Sequence, residues 1–346
     1  MKINFLGKSI DQSDFASRAA IVAMIAATTL AAAIVLWKLT DLLPAVFVTI
    51  LIALAWRGAA EQVSGRIGLS PGLSLAIVAL ASLATIVLAL MLFGGQLVRQ
   101  YDEIALDVPA AIGLIERIVE EHPWARFVEK FLIHVDFSKM TTPVVQQFGA
   151  LLGSLGNGLA YGIFAILGAA YLAADPKRYE AGLLALTPAS RQTDMTLFLE
   201  RSSGALRQWL YIQLYVVGMN ALFAGAALWA FGVPAPLALA TISGALAFVP
   251  YFGSIIAMIV GVLVALPHGL DSAGFAALAI GAASFVEGYL ITPYLQSRTL
   301  MVPPVVLLFF MLAFGLLFGT MGVVLAVPAT VVLSIAYGVL AETGQR

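Results

Sequence analysis

Apolar positions in this chain gather into runs long enough to cross a bilayer, for which a helix needs about 20 mainly apolar residues. Four such runs come first, over residues 19–37, 42–56, 73–93 and 148–173. The second is short and contains Pro44, so it either continues through Ala59 and Ala60 or sits tilted against its neighbour. A fifth, Leu210 to Phe231, follows a long polar gap. Two further stretches are too long for one plain span: 30 uncharged residues from Leu237 to Leu266, and 36 from Val305 to Leu340. The first is interrupted by Pro250-Tyr251-Phe252-Gly253 and the second by Gly319-Thr320-Met321-Gly322. Each interruption reads in one of two ways, as the tip of a re-entrant or broken helix or as a tight turn between two ordinary spans. The expectation is an all-α, polytopic membrane protein with about eight hydrophobic elements.

Polar segments divide the chain further. Residues 1–93 are expected to form N-terminal spans, 94–147 an extracytoplasmic insert, 148–173 a span, 174–209 a cytoplasmic amphipathic helix and 210–346 a C-terminal transport region. In the insert, Ile104, Val108, Ile112, Ile115 and Val119 alternate at helical spacing with Glu103, Asp107, Glu116 and Glu120. Pro109 and Pro123 are expected to break or kink it into short helices. Its His122 and His134 lack metal-ligand spacing. In the 174–209 segment, Met195, Leu199, Ser202, Leu206 and Trp209 share one helical face, as core packing requires.

Composition agrees with this pattern and removes alternatives. With 61% hydrophobic and 11% charged residues, against roughly 25% charged in soluble domains, the chain is an integral membrane protein. A net charge of -1 gives no basic face for nucleic acid. Cysteine is absent, which removes disulfides and thiolate metal sites. The first apolar run is too long for a cleaved leader and is followed by another, so it reads as a retained span. Lys and Arg placement favours a cytoplasmic N-terminus: Lys2, Lys8, Arg18, Arg57, Arg66, Lys177, Arg178, Arg191, Arg201 and Arg207 then lie inside, and both termini are cytoplasmic.

Charge becomes informative where it is rare. Between Gln208 and Ala341 the only charged residues are Asp271, Glu287 and Arg298. An acid inside a span is costly, by about 2.5 kcal/mol or more, and usually faces a cavity or partner on an ion or substrate path. Glu287 is therefore the candidate coupling residue, and a carboxyl there can take up and release a proton. The plainer alternative is an inert acid hydrogen-bonded near its helix end. Arg298 lies beyond Pro293, placed either to pair with Glu287 or to reach lipid phosphates. The Pro250–Gly253 and Gly319–Gly322 breaks free backbone groups that could hold an ion or polar solute. Asn220, Ser243, Ser254, Ser284 and Thr320 are polar residues able to line such a site, although helix-to-helix hydrogen bonds account for such residues as readily. The two breaks are expected to approach the Glu287 helix from either side.

Enzyme motifs fail. Gly7-Lys8-Ser9 lacks the earlier glycine and the strand of a phosphate loop, and neither His-Glu-x-x-His nor Gly-x-Ser-x-Gly occurs. No cofactor is expected.

The set Gln208-Trp-Leu-Tyr-Ile-Gln213, Phe231-Gly-Val-Pro234, Phe248-Val-Pro-Tyr-Phe-Gly253, Glu287-Gly288 with Pro293, Val302-Pro303-Pro304 and Gly319 to Pro328 resembles the autoinducer-2 exporter family of bacterial membrane proteins. The sequence departs from that pattern at Pro304, where one proline is usual, and at Tyr289, where a polar amide often follows the acid-glycine pair. The resemblance implies an inner-membrane permease that exports a small polar signal or exchanges sodium or lithium for protons, and a homo-oligomer, a pentamer. Together the readings give a secondary transporter coupled to protons or sodium, contacting membrane lipid and a small polar solute. The alternative is an oligomeric scaffold or channel-like protein whose insert binds partners.

Overall fold

The computed structural model describes residues 3–5, 8–10, 20–30, 42–121, 155–292 and 303–343. Arg298, Pro293, His122, His134 and Pro123 lie outside the described residues. The described part is all-α apart from a short antiparallel pair, β1 (Ile3–Phe5) with β2 (Lys8–Ile10). Its helices are α1 (Ala20–Leu30), α2 (Leu42–Ile67), α3 (Pro71–Glu121), α4 (Leu155–Ala174), α5 (Pro176–Ala185), α6 (Gln192–Ala230), α7 (Pro236–Leu246), α8 (Phe252–Ala265), α9 (Leu270–Val286) and α10 (Pro304–Thr343). Five of the helical stretches are long and apolar enough to cross a membrane. Large apolar side chains such as Leu80, Met91, Phe164 and Leu316 stand exposed on these helices. Lipid is the solvent such surfaces need.

Two helices are unusually long. The expected cytoplasmic helix and the fifth span are one element, α6. Its buried face runs without a break through Ser202, Leu206, Trp209, Gln213, Val216, Asn220, Ala224 and Leu228. The stripe read as core packing is therefore the first half of a face that extends through the apolar span. The other is α3, 51 residues long and continuous through Pro109. A proline there removes one helical hydrogen bond. Burial of Ile104, Val108 and Ala111 on either side of it against α7 and α8 holds the helix together.

Both interrupted stretches fold back on themselves. The first makes hairpin one, α7 and α8, with arms of 11 and 14 residues. At 1.5 Å per residue these are about 16 and 21 Å long, short of the roughly 30 Å hydrocarbon core. Of the two readings open from sequence, the re-entrant one fits these lengths. The second makes hairpin two within α10, whose backbone leaves the helical region at Gly319 (φ 63°, ψ −147°). That conformation is open only to glycine. Its first arm is also short, about 22 Å, while its second is long enough to cross.

Glycines set how closely the arms meet. A Cβ on Gly253 would overlap the Leu246 carbonyl, and one on Gly322 would overlap the Phe314 carbonyl. At the tip of hairpin one, Phe252 N–H donates to Pro250 O at 2.8 Å and places Tyr251 at φ 67°, ψ −49°. This is a γ-turn, a strained conformation for a residue with a side chain.

Three apolar clusters tie the helices together. The first half of α3 joins α2 and α4 around Ala53, Trp56, Ala169 and Ala173. Its second half joins hairpin one and α9 around Ile104, Val108, Leu239, Val264 and Ile280. The third packs hairpin two on α2 and α6 through Leu51, Leu206, Trp209, Leu325 and Val327.

Candidate functional site

Glu287 lies where α9 changes from α-helical to π-helical winding, at the first residue of the single π-turn Glu287–Ile291. Such turns are rare and are frequently found at functional sites. The carboxylate is half-buried and points at α6. Asn220 Nδ2 donates to Glu287 Oε2 at 2.6 Å, and Asn220 Oδ1 accepts from the Ser243 hydroxyl at 2.8 Å. Asn220 is 1% exposed and Ser243 2%. The amide has one orientation that satisfies both neighbours, since reversing it would set its oxygen against the carboxylate.

Three elements thus meet through one side chain: α9 by Glu287, α6 by Asn220 and hairpin one by Ser243. A second amide on the same face of α6, Gln213, donates from Nε2 to Ala247 O at 3.1 Å, at the end of α7. Small residues bring the helices close enough for these bonds. Gly244 packs on Ala221 and the Val217 carbonyl, and Gly225 on Ala240. One turn before Glu287, the Ser284 hydroxyl is buried without a hydrogen-bond partner. Buried polar atoms in native proteins are nearly always paired, and Ser74 Oγ, Ser202 Oγ and Trp209 Nε1 share this state among the described residues. No cation pairs with Glu287 among the described residues. The group is an acid within an apolar helical stretch, with a neutral donor on one oxygen.

Asn220 falls at the midpoint of the apolar run Leu210–Phe231, so Glu287 meets its partner in the middle of that span. From sequence, the Glu287 helix by itself had placed the acid toward one end.

The remaining expected positions divide between two places. Pro250, Gly253 and Ser254 belong to the tip of hairpin one, with Gly253 buried and Ser254 half-buried. Gly319, Thr320 and Gly322 belong to the tip of hairpin two, where Gly322 is buried and Thr320 exposed. Gly253 and Thr320 both line a cleft of about 840 Å³ between the hairpins. Among the described residues Thr320 is the only polar side chain that lines it, so this cavity is apolar. Both breaks were expected against the Glu287 helix. Hairpin one is there, whereas hairpin two packs on the Leu206–Leu210 turns of α6 and on α2. The reason is occupancy: hairpin one and α9 already cover the Asn220 face.

Sequence reading named Asn220, Ser243 and Glu287 singly and missed that they form one chain. The available signal was the 3.6-residue stripe on α6, in which Gln213 and Asn220 occupy core positions between Trp209 and Ala224. The π-turn had no signal in the sequence.

A family model described as AI-2E family transporter matches residues 21–342. The chain belongs to this family. Among curated proteins it is similar to "Putative transport protein YrrI" of Bacillus subtilis, 33% identical over 48% of this chain and 47% of that protein. It is also similar to "Putative transport protein" of Thermotoga maritima, 30% identical over 38% of this chain and 41% of the other. The chain spans less than half the length of these relatives. Family membership and the helices make it a multi-pass membrane protein of a transporter family, and give no reason to read it as an enzyme.

Proposed function

We propose that this protein is a secondary transporter that exports a small polar molecule or exchanges monovalent cations, driven by a proton or sodium gradient, with Glu287 as the coupling residue. The observation that carries the reading is the Glu287–Asn220–Ser243 hydrogen-bonded chain. Loading Glu287 with a proton or cation changes what Asn220 can donate to, and Asn220 passes that change to hairpin one through Ser243. Helix breaks at both hairpins supply the irregular backbone that transport sites use. The family and the similarity to two proteins named for transport support the same class.

The reading includes a bacterial inner-membrane location with both termini cytoplasmic, which Lys and Arg placement supports. It also includes a homo-oligomer, a pentamer, for which exposed apolar faces on α3 and α10 leave room.

Flux in reconstituted vesicles tests the coupling. An imposed pH gradient should drive uptake or exchange by the wild type, and Glu287→Gln should remove the dependence on the gradient while the protein remains folded. Gradient-driven flux that persists unchanged in Glu287→Gln would overturn the assignment. Absence of flux for cations and polar solutes alike would favour a scaffold.

A further inference from the structure

We propose that the crossing of α2 and α6 is a binding site for a singly charged phosphodiester, the chemistry of an anionic phospholipid headgroup. This site is separate from Glu287 and does not depend on the transport reading.

Here two helices cross over a residue with no side chain. A Cβ on Gly58 would run into the side chain of Arg207 and the hydroxyl of Tyr211, so both long side chains lie across the α2 backbone at that point. Tyr211 is fixed by donating to Ala55 O at 3.0 Å. Arg207 Nη1 meets Glu61 Oε2 at 2.8 Å, and Arg57 Nε meets Glu61 Oε1 at 3.1 Å. Arg57 also donates from Nη1 to Ala173 O at 3.1 Å, at the end of α4. Arg57 is thereby committed on two sides.

Beside this cluster lies a cavity of about 510 Å³. Its walls include Glu61, Gln62, Arg207, Gln208 and Tyr211. The amides of Gln62 and Gln208 are exposed and hydrogen-bond to no other side chain or backbone group among the described residues. Apart from Gly58 and Gly204, every residue that lines it carries a polar or charged group, in contrast to the apolar cleft between the hairpins.

Charge then selects the ligand. Two guanidiniums share one carboxylate, which leaves the cluster at +1. A phosphodiester carries one negative charge and complements it, whereas a phosphate dianion would leave charge uncompensated against Glu61. The planar donor fork of Arg207 suits two phosphate oxygens, and a neutral amide donates as well. Depth agrees with the headgroup source. The apolar run of α2 ends at Arg57 and that of α6 begins at Leu210, so the cluster stands at the hydrocarbon boundary. Basic pockets between spans at that level are where headgroups bind.

The test uses the full chain in phosphatidylcholine vesicles, with and without phosphatidylglycerol, read by thermal unfolding. Phosphatidylglycerol should raise the midpoint of the wild type, and the increase should shrink in high salt. Arg207→Gln should lose most of that increase. Gln62→Leu, which leaves the ion pairs in place, should lose part of it and guards against misfolding of the arginine variant. Arg201→Gln, an exposed arginine paired with Glu342 outside the cavity, should keep it. A soluble dialkyl phosphate, which carries one negative charge and no cation, added to phosphatidylcholine vesicles, forms the second arm. An Arg207-dependent increase there places a free phosphodiester in the site and supports the same chemistry from another source. Full retention of the increase in both Arg207→Gln and Gln62→Leu, or equal loss in Arg201→Gln, would overturn the proposal.

Discussion

Replacing Asn220 with alanine removes two hydrogen bonds at once, one to a carboxylate and one to a hydroxyl. In soluble proteins those bonds are worth about 1.5–3 and 0.5–1.5 kcal/mol. Interhelical hydrogen bonds in membranes average about 0.6 kcal/mol and reach about 1.7, because the unfolded chain also finds partners there. The membrane values govern here, and the pair should cost about 1–3 kcal/mol. Truncating a residue that is 1% exposed adds a cavity term. A double-mutant cycle with Ser243→Ala cancels that term, since the cavity is present in both Asn220→Ala backgrounds. Ser243→Ala alone should cost about 0.6 kcal/mol, and close to nothing once Asn220 is alanine. The assay is reversible unfolding in mixed micelles with increasing sodium dodecyl sulfate. Additive costs for the two substitutions would show that Ser243 and Asn220 act independently, and the chain from Glu287 to hairpin one would fail with them.

Two further outcomes follow from the hairpins. Gly253→Ala and Gly322→Ala should each destabilise by about 1–3 kcal/mol, because the obstructing atoms are backbone carbonyls and cannot rotate aside. Gly274→Ala, where an added Cβ meets nothing within 4 Å, should be neutral or stabilising by up to about 1 kcal/mol; equal effects at all three sites in the same unfolding assay would contradict the close approach. Tyr251→Gly should be more stable than Tyr251→Ala by about 1 kcal/mol, since only glycine adopts that turn without strain, and an alanine variant that matches it would remove the γ-turn.

How much could be read from the residues depended on whether the signal was local. Hairpin tips announce themselves locally, because Pro250 with Gly253 and Gly319 with Gly322 interrupt otherwise unbroken apolar runs. Glu287 also stood out, since a charge in an uncharged stretch has no ordinary explanation. Asn220 was legible only as one polar residue among several, and its pairing with Glu287 was not, because the two are distant in sequence. Pro109 misled for the opposite reason: its local preference is to break a helix, and packing of Ile104, Val108 and Ala111 overrides it. Arg57 and Arg207 were read only for topology, through the charge each carries, when their more specific content is the shared acid Glu61.

The length of α3 has a mechanical meaning. From Val78, which packs near α2 and α4, to Asp107, which faces His268 at the base of hairpin one, the helix extends about 43 Å at 1.5 Å per residue. A rigid rod of that length, tilted by about 5° at its α2 end, carries its far end about 4 Å sideways. Hairpin one hangs on that far end, through Gln100 accepting from Ala238 N as well as through Asp107. Midway along the rod stand Gly94 and Gly95, both facing open space. Paired glycines are where helices bend. Their stiffness decides whether movement among α2 and α4 is delivered to the hairpin whole or absorbed on the way.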